Sequence, residues 1–540
     1  MKYIKYLILA VMLTGAGSCS VDRVPETQLS DATFWRSEGD LNSAANYLYT
    51  FLPSLPVYDD NMSIDGFAVY PNEVSNGTRT VPNWDDDYAN AYKLIRAACN
   101  IIAKAPRATS AGVDPGIVEK YVAEARFFRA WAYYNLVKRY GDVILVTTPL
   151  ASDAKELTAA RTNREIVYDT IYADLEFAAA KLQLPSAMGE SNYGRISRTA
   201  VWAVESRAAL FEGTWNKFHN AGEWRTHLER AKNAAEKVIQ SGEHSLYTGG
   251  YFNLYQYQAE GMGNKENVMV RRYGANDANI ISYHNIPMAI ISGGVVNPTK
   301  YLVDAYLMKD GLPIDKSPLY KRPDSANHVF NNRDKRLSET VMKRGDNFSL
   351  TGKFVVSTSS TGYNYRKYVI QEDMGKSRSY IDYAIIRYAE VLLNYAEAKY
   401  ELDAGITDAD LDRTINQLRD RGEVAHLTNA FATAHGLNIR EEIRRERRVE
   451  LSMEGFRYWD LLRWKTAETE LPKPVLGAYF FKDEFLALGY SLTPNLNPDN
   501  YIMPESGNMR TFLPQRDYLW PLPLTEISMN PNLVQNPNWN

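Results

Sequence analysis

Residues 439–464 read IREEIRRERRVELSMEGFRYWDLLRW. The stretch holds no proline and only one glycine, Gly455, so its composition allows one long helix. Arg440, Arg444 and Arg448 form one i,i+4 column, and Glu446, Glu450 and Glu454 form another. Like charges aligned in this way repel, so each column needs partners from elsewhere. Arg447 with Glu450, and Glu454 with Arg457, supply two pairs at i,i+3. The rest must come from other helices. The second half turns apolar through Leu451, Met453, Phe456, Trp459, Leu461, Leu462 and Trp464. The reading is a structural keystone, with a charged half clamped by neighbours and an aromatic half plugging a core. A catalytic cluster of carboxylates is the alternative.

Outward from this stretch, apolar residues recur at helical spacing. Helices are expected over 41–51, 87–103, 118–140, 164–184, 198–218, 224–241, 386–401 and 411–421. The 118–140 helix is apolar on two sides, through Val118, Tyr121, Ala125, Phe128, Ala132 and Leu136 and through Phe127, Trp131 and Tyr134, so neighbours must sandwich it. Gly141 ends it as a C-cap glycine would. The helices fall in two blocks, about 87–241 and 386–465, with many Ala at contact positions. That suits a helix-turn-helix solenoid of tetratricopeptide type, although no crisp 34-residue period appears. The fold class expected is mainly α, an α-α superhelix of helix pairs. Loop-rich regions at about 53–86, 247–383 and 471–540 interrupt it, with short strand candidates at 143–146, 268–272, 353–356 and 365–370. Loops grafted on a helical frame commonly build binding surfaces.

The chain has 540 residues, 45% hydrophobic, with 37 Tyr and 10 Trp. That is enough for a sizeable core. Lys2 and Lys5 precede a short apolar run at 6–13, far below the roughly 20 residues of a spanning helix. Ala16-Gly17-Ser18-Cys19 follows. This pattern resembles a bacterial lipoprotein signal over residues 1–18, with Ala16 where leucine is usual. It implies cleavage before Cys19, acylation of that cysteine, and a tether over 19–33. Two or three acyl chains hold a protein firmly on a membrane. An ordinary secretory signal is the alternative. Losing Lys2 and Lys5 takes the formal charge from −4 to −6. No basic excess suggests nucleic acid. Cys99, with Tyr92, Ile95 and Ile102 on one helical stripe, reads as a buried small hydrophobe.

The spacing E-R-R-x-E-L-x-x-E-G-x-R-x-x-D-L-x-R-W at residues 446–464 resembles the signature of the SusD/RagB nutrient-binding outer-membrane lipoproteins. Further blocks are similar to that family in order: residues 124–130 and 139–143, Gly194-Arg195-Ile196-Ser197, residues 332–336, and residues 387–393 with Ala396-Glu397-Ala398. Asn416, residues 419–421 and the closing run from Pro521 to Trp539 follow. The resemblance covers nearly the whole chain after the signal and implies a single domain over 34–540. It also implies four tetratricopeptide-like units, a loop-rich ligand face, and a place on the outer surface of a Gram-negative outer membrane. Such proteins capture oligosaccharides or other nutrients for a SusC-like TonB-dependent transporter and are not enzymes.

There is no G-x-S-x-G, H-E-x-x-H, P-loop or C-x-x-C, and the 7 His are scattered. No cofactor or catalytic residue is expected. Asp85-Asp86-Asp87 suits a calcium site or, more simply, an acid-rich helix start. Sugars present flat C–H faces edged by hydroxyls, so a glycan site wants aromatic platforms with polar partners. Residues 65–88 offer Asp65, Tyr70, Arg79, Asn83, Trp84 and Asp87 ahead of a helix. Trp84 resembles the family tryptophan that stacks on sugar there, and Asp87 stands where the family has an amide. Tyr283 and His284 are expected to supply a second wall. Three other readings stand beside a glycan binder: a peptide binder, a helical glycoside hydrolase with two acids about 5–9.5 Å apart, and an assembly subunit with no ligand.

Overall fold

A computed structural model describes residues 31, 33–56, 58–274, 283–284, 290, 296–348, 352–356, 359–376, 378–485 and 494–539. Cys19 and the expected signal segment lie outside these residues. The frame is built by α1 (Glu38–Tyr49), α2 (Asp86–Lys104), α3 (Pro115–Tyr140), α4 (Arg164–Lys181), α5 (Arg198–His219) and α6 (Arg225–Gln240). It continues with α7 (Tyr388–Asp403), α8 (Ile415–Gly422), α9 (Ile439–Glu450), α10 (Arg457–Arg463) and, near the end, α11 (Leu524–Met529). Each long helix packs on the next: α2 on α3, α3 on α4, α4 on α5, α5 on α6, α6 on α7, and α7 on α9. The architecture is therefore a superhelix of tetratricopeptide-like pairs. Helix α3 is buried on most sides, including Phe127, Phe128, Trp131 and Tyr134, because α1, α2 and α4 surround it.

Among the described residues, four short strands interrupt the helices. β1 (Gly66–Phe67) pairs antiparallel with β3 (Asn297–Pro298), and β2 (Asn267–Arg271) pairs antiparallel with β4 (Tyr383–Arg387). Of the strand candidates, 268–272 forms β2. The others shrink to single bridges, Val143 to Thr162, Lys353 to Asn347 and Tyr365 to Val341. Ile386 and Arg387 end β4 rather than starting a helix. Cys99 is buried, in contact with the Arg129 guanidinium.

The 439–464 stretch departs from one continuous helix. α9 stops at Glu450, and α10 starts at Arg457. Between them, Met453 has φ 62° and Gly455 φ 75°, a left-handed conformation that glycine adopts at little cost. Buried partners satisfy the freed backbone: Asp60 accepts from Met453 N at 2.7 Å, and Lys367 Nζ donates to Ser452 O at 2.9 Å. Propensity allowed a helix, but these tertiary contacts outweigh it.

The charge columns find partners on other elements. Glu450 is held by Arg336 (2.9 Å), Arg387 (3.0 Å) and Arg421 (2.8 Å). Glu446 takes Arg336 at 2.6 Å, and Glu454 takes Arg387 at 2.7 Å and Lys367 at 2.6 Å. Arg440 reaches Glu401 at 2.6 Å, and Arg448 grips Asp65. The two expected i,i+3 pairs are not made. Arg447 turns to Asp460 at 2.9 Å, and Arg457 to Asp65 at 3.6 Å. The reason is the break in the helix, which re-aims every side chain after Glu450. The result is a buried ionic knot joining α7, α8, α9, β4 and residues 334–336. Each acid in it meets at least one cation, which fits a structural keystone.

Candidate functional site

Trp84 sits on an extended segment just before α2. Backbone bonds from the far end of the chain fix that segment: Leu524 N donates to Pro82 O at 3.0 Å and Thr525 N to Asn83 O at 3.1 Å. The indole is 51% exposed, and its Nε1 donates to Asp86 at 2.9 Å. Asp85 caps α2 by accepting from Asp87 N at 2.9 Å and also accepts from the Tyr140 hydroxyl at 2.6 Å. Asp87 pairs with Arg139 at 2.6 Å. Each of the three acids has a protein partner, and no group of three metal-ligating residues occurs among the described residues. The acid-rich helix start accounts for their spacing.

Behind Asp87 lies a cavity of about 550 Å³, within the range of small-ligand sites. Helices α2 and α3 contribute Asn90, Lys138 and Arg139 to its wall. The loop after α1 adds Asp59, β2 adds Arg271, and residues 455–460 add Phe456 and Trp459. Burial pushes the Asp59 carboxyl up to about 6, against the pull of Lys138 and Arg139. Burial lowers Lys138 to about 7, with Arg139 and Arg207 adding repulsion. One wall backs onto alternating rings and cations. Arg516 lies 4.5 Å from the Trp539 ring, and Arg79 lies 4.8 Å from Trp539 and 4.3 Å from Trp520. Arg139 lies 4.2 Å from Trp520, and Lys138 4.3 Å from Trp459. The closing tail, through Trp520 and Trp539, therefore buttresses the site.

The residues expected at the site separate. Asn83, Trp84 and Asp87 share the start of α2. Tyr70 is 78% exposed but lines a different, shallow cleft with Asn61, Val69 and Asn72. Asp65 departs from the expectation of an open loop: it is buried, and Arg448 and Arg457 occupy its carboxylate. Arg79 departs likewise, sandwiched between Trp520 and Trp539. Tyr283 is 54% exposed. His284 is tied down by a backbone bridge to Ser379, and its ring nitrogen meets Ile381 O at 3.0 Å. Burial lowers its pKa. Sequence reasoning did not single out Lys138, Asp59, Asn90 or Trp459 for the site. Lys138 and Arg139 read as ordinary bases in a last helical turn, and Trp459 as a core plug. Only the packing of α10 on α5, with Trp459 set against Lys138, turns them to one cavity.

Comparison with known proteins decides the family. The model of the SusD family matches residues 255–539, more than half of the chain. The chain belongs to the SusD family. A second model, described as "Starch-binding associating with outer membrane", matches residues 39–210 of this SusD-family chain. SusD-like protein P25 of Formosa agariphila is 22% identical, over 99% of this chain and 98% of its own. A SusD-like protein of Bacteroides ovatus is 24% identical, over 85% and 82%. The crystal structure of a SusD-like carbohydrate binding protein from Bacteroides fragilis superposes with a TM-score of 0.76 at 25% identity. That match covers 93% of this chain and all of the other. The SusD-family frame described above is the one these relatives share. Among its described residues, no helix is long and apolar enough to cross a membrane.

Proposed function

We infer that this chain is a cell-surface glycan-binding lipoprotein that captures oligosaccharide and passes it to a SusC-like TonB-dependent transporter. The observation that carries this reading is the exposed Trp84 indole three residues before Asp87, which lines a polar and aromatic cavity. A flat ring beside hydrogen-bonding groups is the chemistry a sugar face needs. Family membership, the starch-binding description of the model over residues 39–210, and the carbohydrate-binding relative from Bacteroides fragilis support it. Acylated Cys19 anchors the protein to the outer membrane. Titration calorimetry with oligosaccharides tests the ligand class. Binding without turnover is expected, whereas binding of peptides and of no sugar overturns it. Co-purification with the transporter, and release of a Cys19→Ala variant from the membrane, test delivery and anchoring.

One observation favours a second reading. Asp59 and Asp87 line the same cavity, and Asp59 is held up at about 6, as the acid of a glycoside hydrolase would be. Arg139 occupies Asp87, which weighs against its attacking a sugar. Release of shortened sugars by the purified protein would favour the hydrolase.

A further inference from the structure

One cation of the cavity wall has no acceptor among the described residues. Arg207 is matched by Glu390 at 2.5 Å and Arg139 by Asp87 at 2.6 Å. Arg447 is matched by Asp460 and Arg463 by Glu397. Arg271 donates only to the Leu52 carbonyl and stacks on Tyr273. Lys138 differs from all of these. Among the described residues it makes neither hydrogen bond nor ion pair, and its ammonium rests 4.3 Å from the Trp459 ring and 5.4 Å from Tyr134. Asp59, the acid that lowers the cost of its charge, is likewise without a hydrogen bond to its carboxylate among the described residues. Its Oδ2 would lie 3.0 Å from a Cβ placed on Gly455. Lys138, Arg139, Arg207 and Arg271 share the wall with Asp59, Asp87 and Glu454, and of these four cations Lys138 is the one with neither hydrogen bond nor ion pair among the described residues.

A poorly solvated cation with no acceptor is costly unless something completes its coordination. The ring beneath it covers one side with a weak attraction, while the cavity leaves the other side open. A neutral sugar hydroxyl would satisfy its hydrogen bond but bring no counter-charge to the ammonium. A cationic ligand would be repelled by it.

We propose that the cavity takes a sugar residue bearing an anionic group, carboxylate or sulfate, whose charge is received by the Lys138 ammonium while Asp59 and Asn90 engage its hydroxyls. This inference rests on the glycan reading above and names the class of glycan. The depressed pKa of Lys138 accords with it, because an arriving anion favours the protonated amine.

A glycan array printed with each backbone in neutral, uronate-bearing and sulfated forms tests it. Hits are expected among the acidic forms, and the two acidic arms distinguish carboxylate from sulfate. Wild-type binding of the acidic forms falls as salt is raised. Lys138→Met weakens acidic binding about tenfold or more, while Lys138→Arg keeps the acidic preference. Lys138→Met removes a poorly solvated charge, so its melting temperature stays at or above that of the parent. Hits confined to neutral glycans, or an acidic preference indifferent to both salt and Lys138→Met, overturn the inference and leave the glycan reading standing. An array with no hits overturns both.

Discussion

Asp87 and Arg139 meet at 2.6 Å, and the same guanidinium lies 4.2 Å from the Trp520 ring. One side chain thus joins the first turn of α2, the last turn of α3 and the closing tail. Arg139→Gln removes the pair and the stack together. A loss of roughly 1–2 kcal/mol in urea unfolding is expected, with weaker oligosaccharide binding because the mouth of the cavity loosens. Unchanged affinity would separate this contact from the site.

Trp84 is exposed and held mainly through backbone. Trp84→Ala is therefore expected to leave stability within about 0.5 kcal/mol while weakening glycan binding roughly tenfold. Calorimetric titration beside a urea melt measures both. Unaltered uptake and affinity would point to an assembly subunit whose ligand contacts lie elsewhere.

Arg387 is the hub of the ionic knot, with Glu266 at 2.6 Å, Glu450 at 3.0 Å and Glu454 at 2.7 Å. Arg387→Met leaves these acids short of a counter-charge inside the protein, at a cost of about 3–5 kcal/mol. A urea midpoint close to the parent's would mean that the knot can re-pair without it.

The knot also sets the acid limit of the fold. Burial alone would raise the Glu450 carboxyl, but Arg421, Arg387 and Arg336 outweigh it and hold the group at about 2. Burial likewise opposes Arg463 and Arg447 at Glu397, which is also held at about 2. Both folded values lie below the ordinary glutamate value, so the unfolded chain binds more protons. Their stabilisation is present above about pH 4.5 and lost as the pH falls toward 2. Asp60 has the opposite sign: burial and Asp65 push it to about 7, so its contribution is lost as pH rises toward 7. Urea midpoints across pH 2–8 are therefore expected to peak between about pH 4 and 5, falling below it as Glu450 and Glu397 are protonated and above it as Asp60 loses its proton.

Gly455 has φ 75°, and a Cβ there would lie 3.0 Å from both Pro56 Cβ and Asp59 Oδ2. Gly455→Ala is expected to cost roughly 1–2 kcal/mol from the backbone alone. It also shifts Asp59 and so disturbs ligand binding, which a matched titration would register.

Helical periodicity was legible wherever an apolar stripe met a packed neighbour, as in α3 and α5. The need of Glu446, Glu450 and Glu454 for distant partners was legible too, because repulsion within one column is a local fact. Where the helix ended was not. Asp60, nearly 400 residues earlier, caps the turn at Met453, and Lys367 caps Ser452. The site divides in the same way. Trp84 could be picked out from its place before a helix, yet Asp65 and Arg79 sit in the same segment and are buried. Whether a polar loop residue faces water or an arginine depends on what packs over it, and no local pattern records that.

By itself, then, the sequence determined the helical frame, the demand for charge partners and the family motifs, because all three follow from spacing along the chain. Only the tertiary structure decided where α9 breaks and which charges pair. It also decided that Lys138, Asp59 and Trp459 share one cavity. These depend on contacts between residues far apart in the chain, and their energies exist only once the elements have docked.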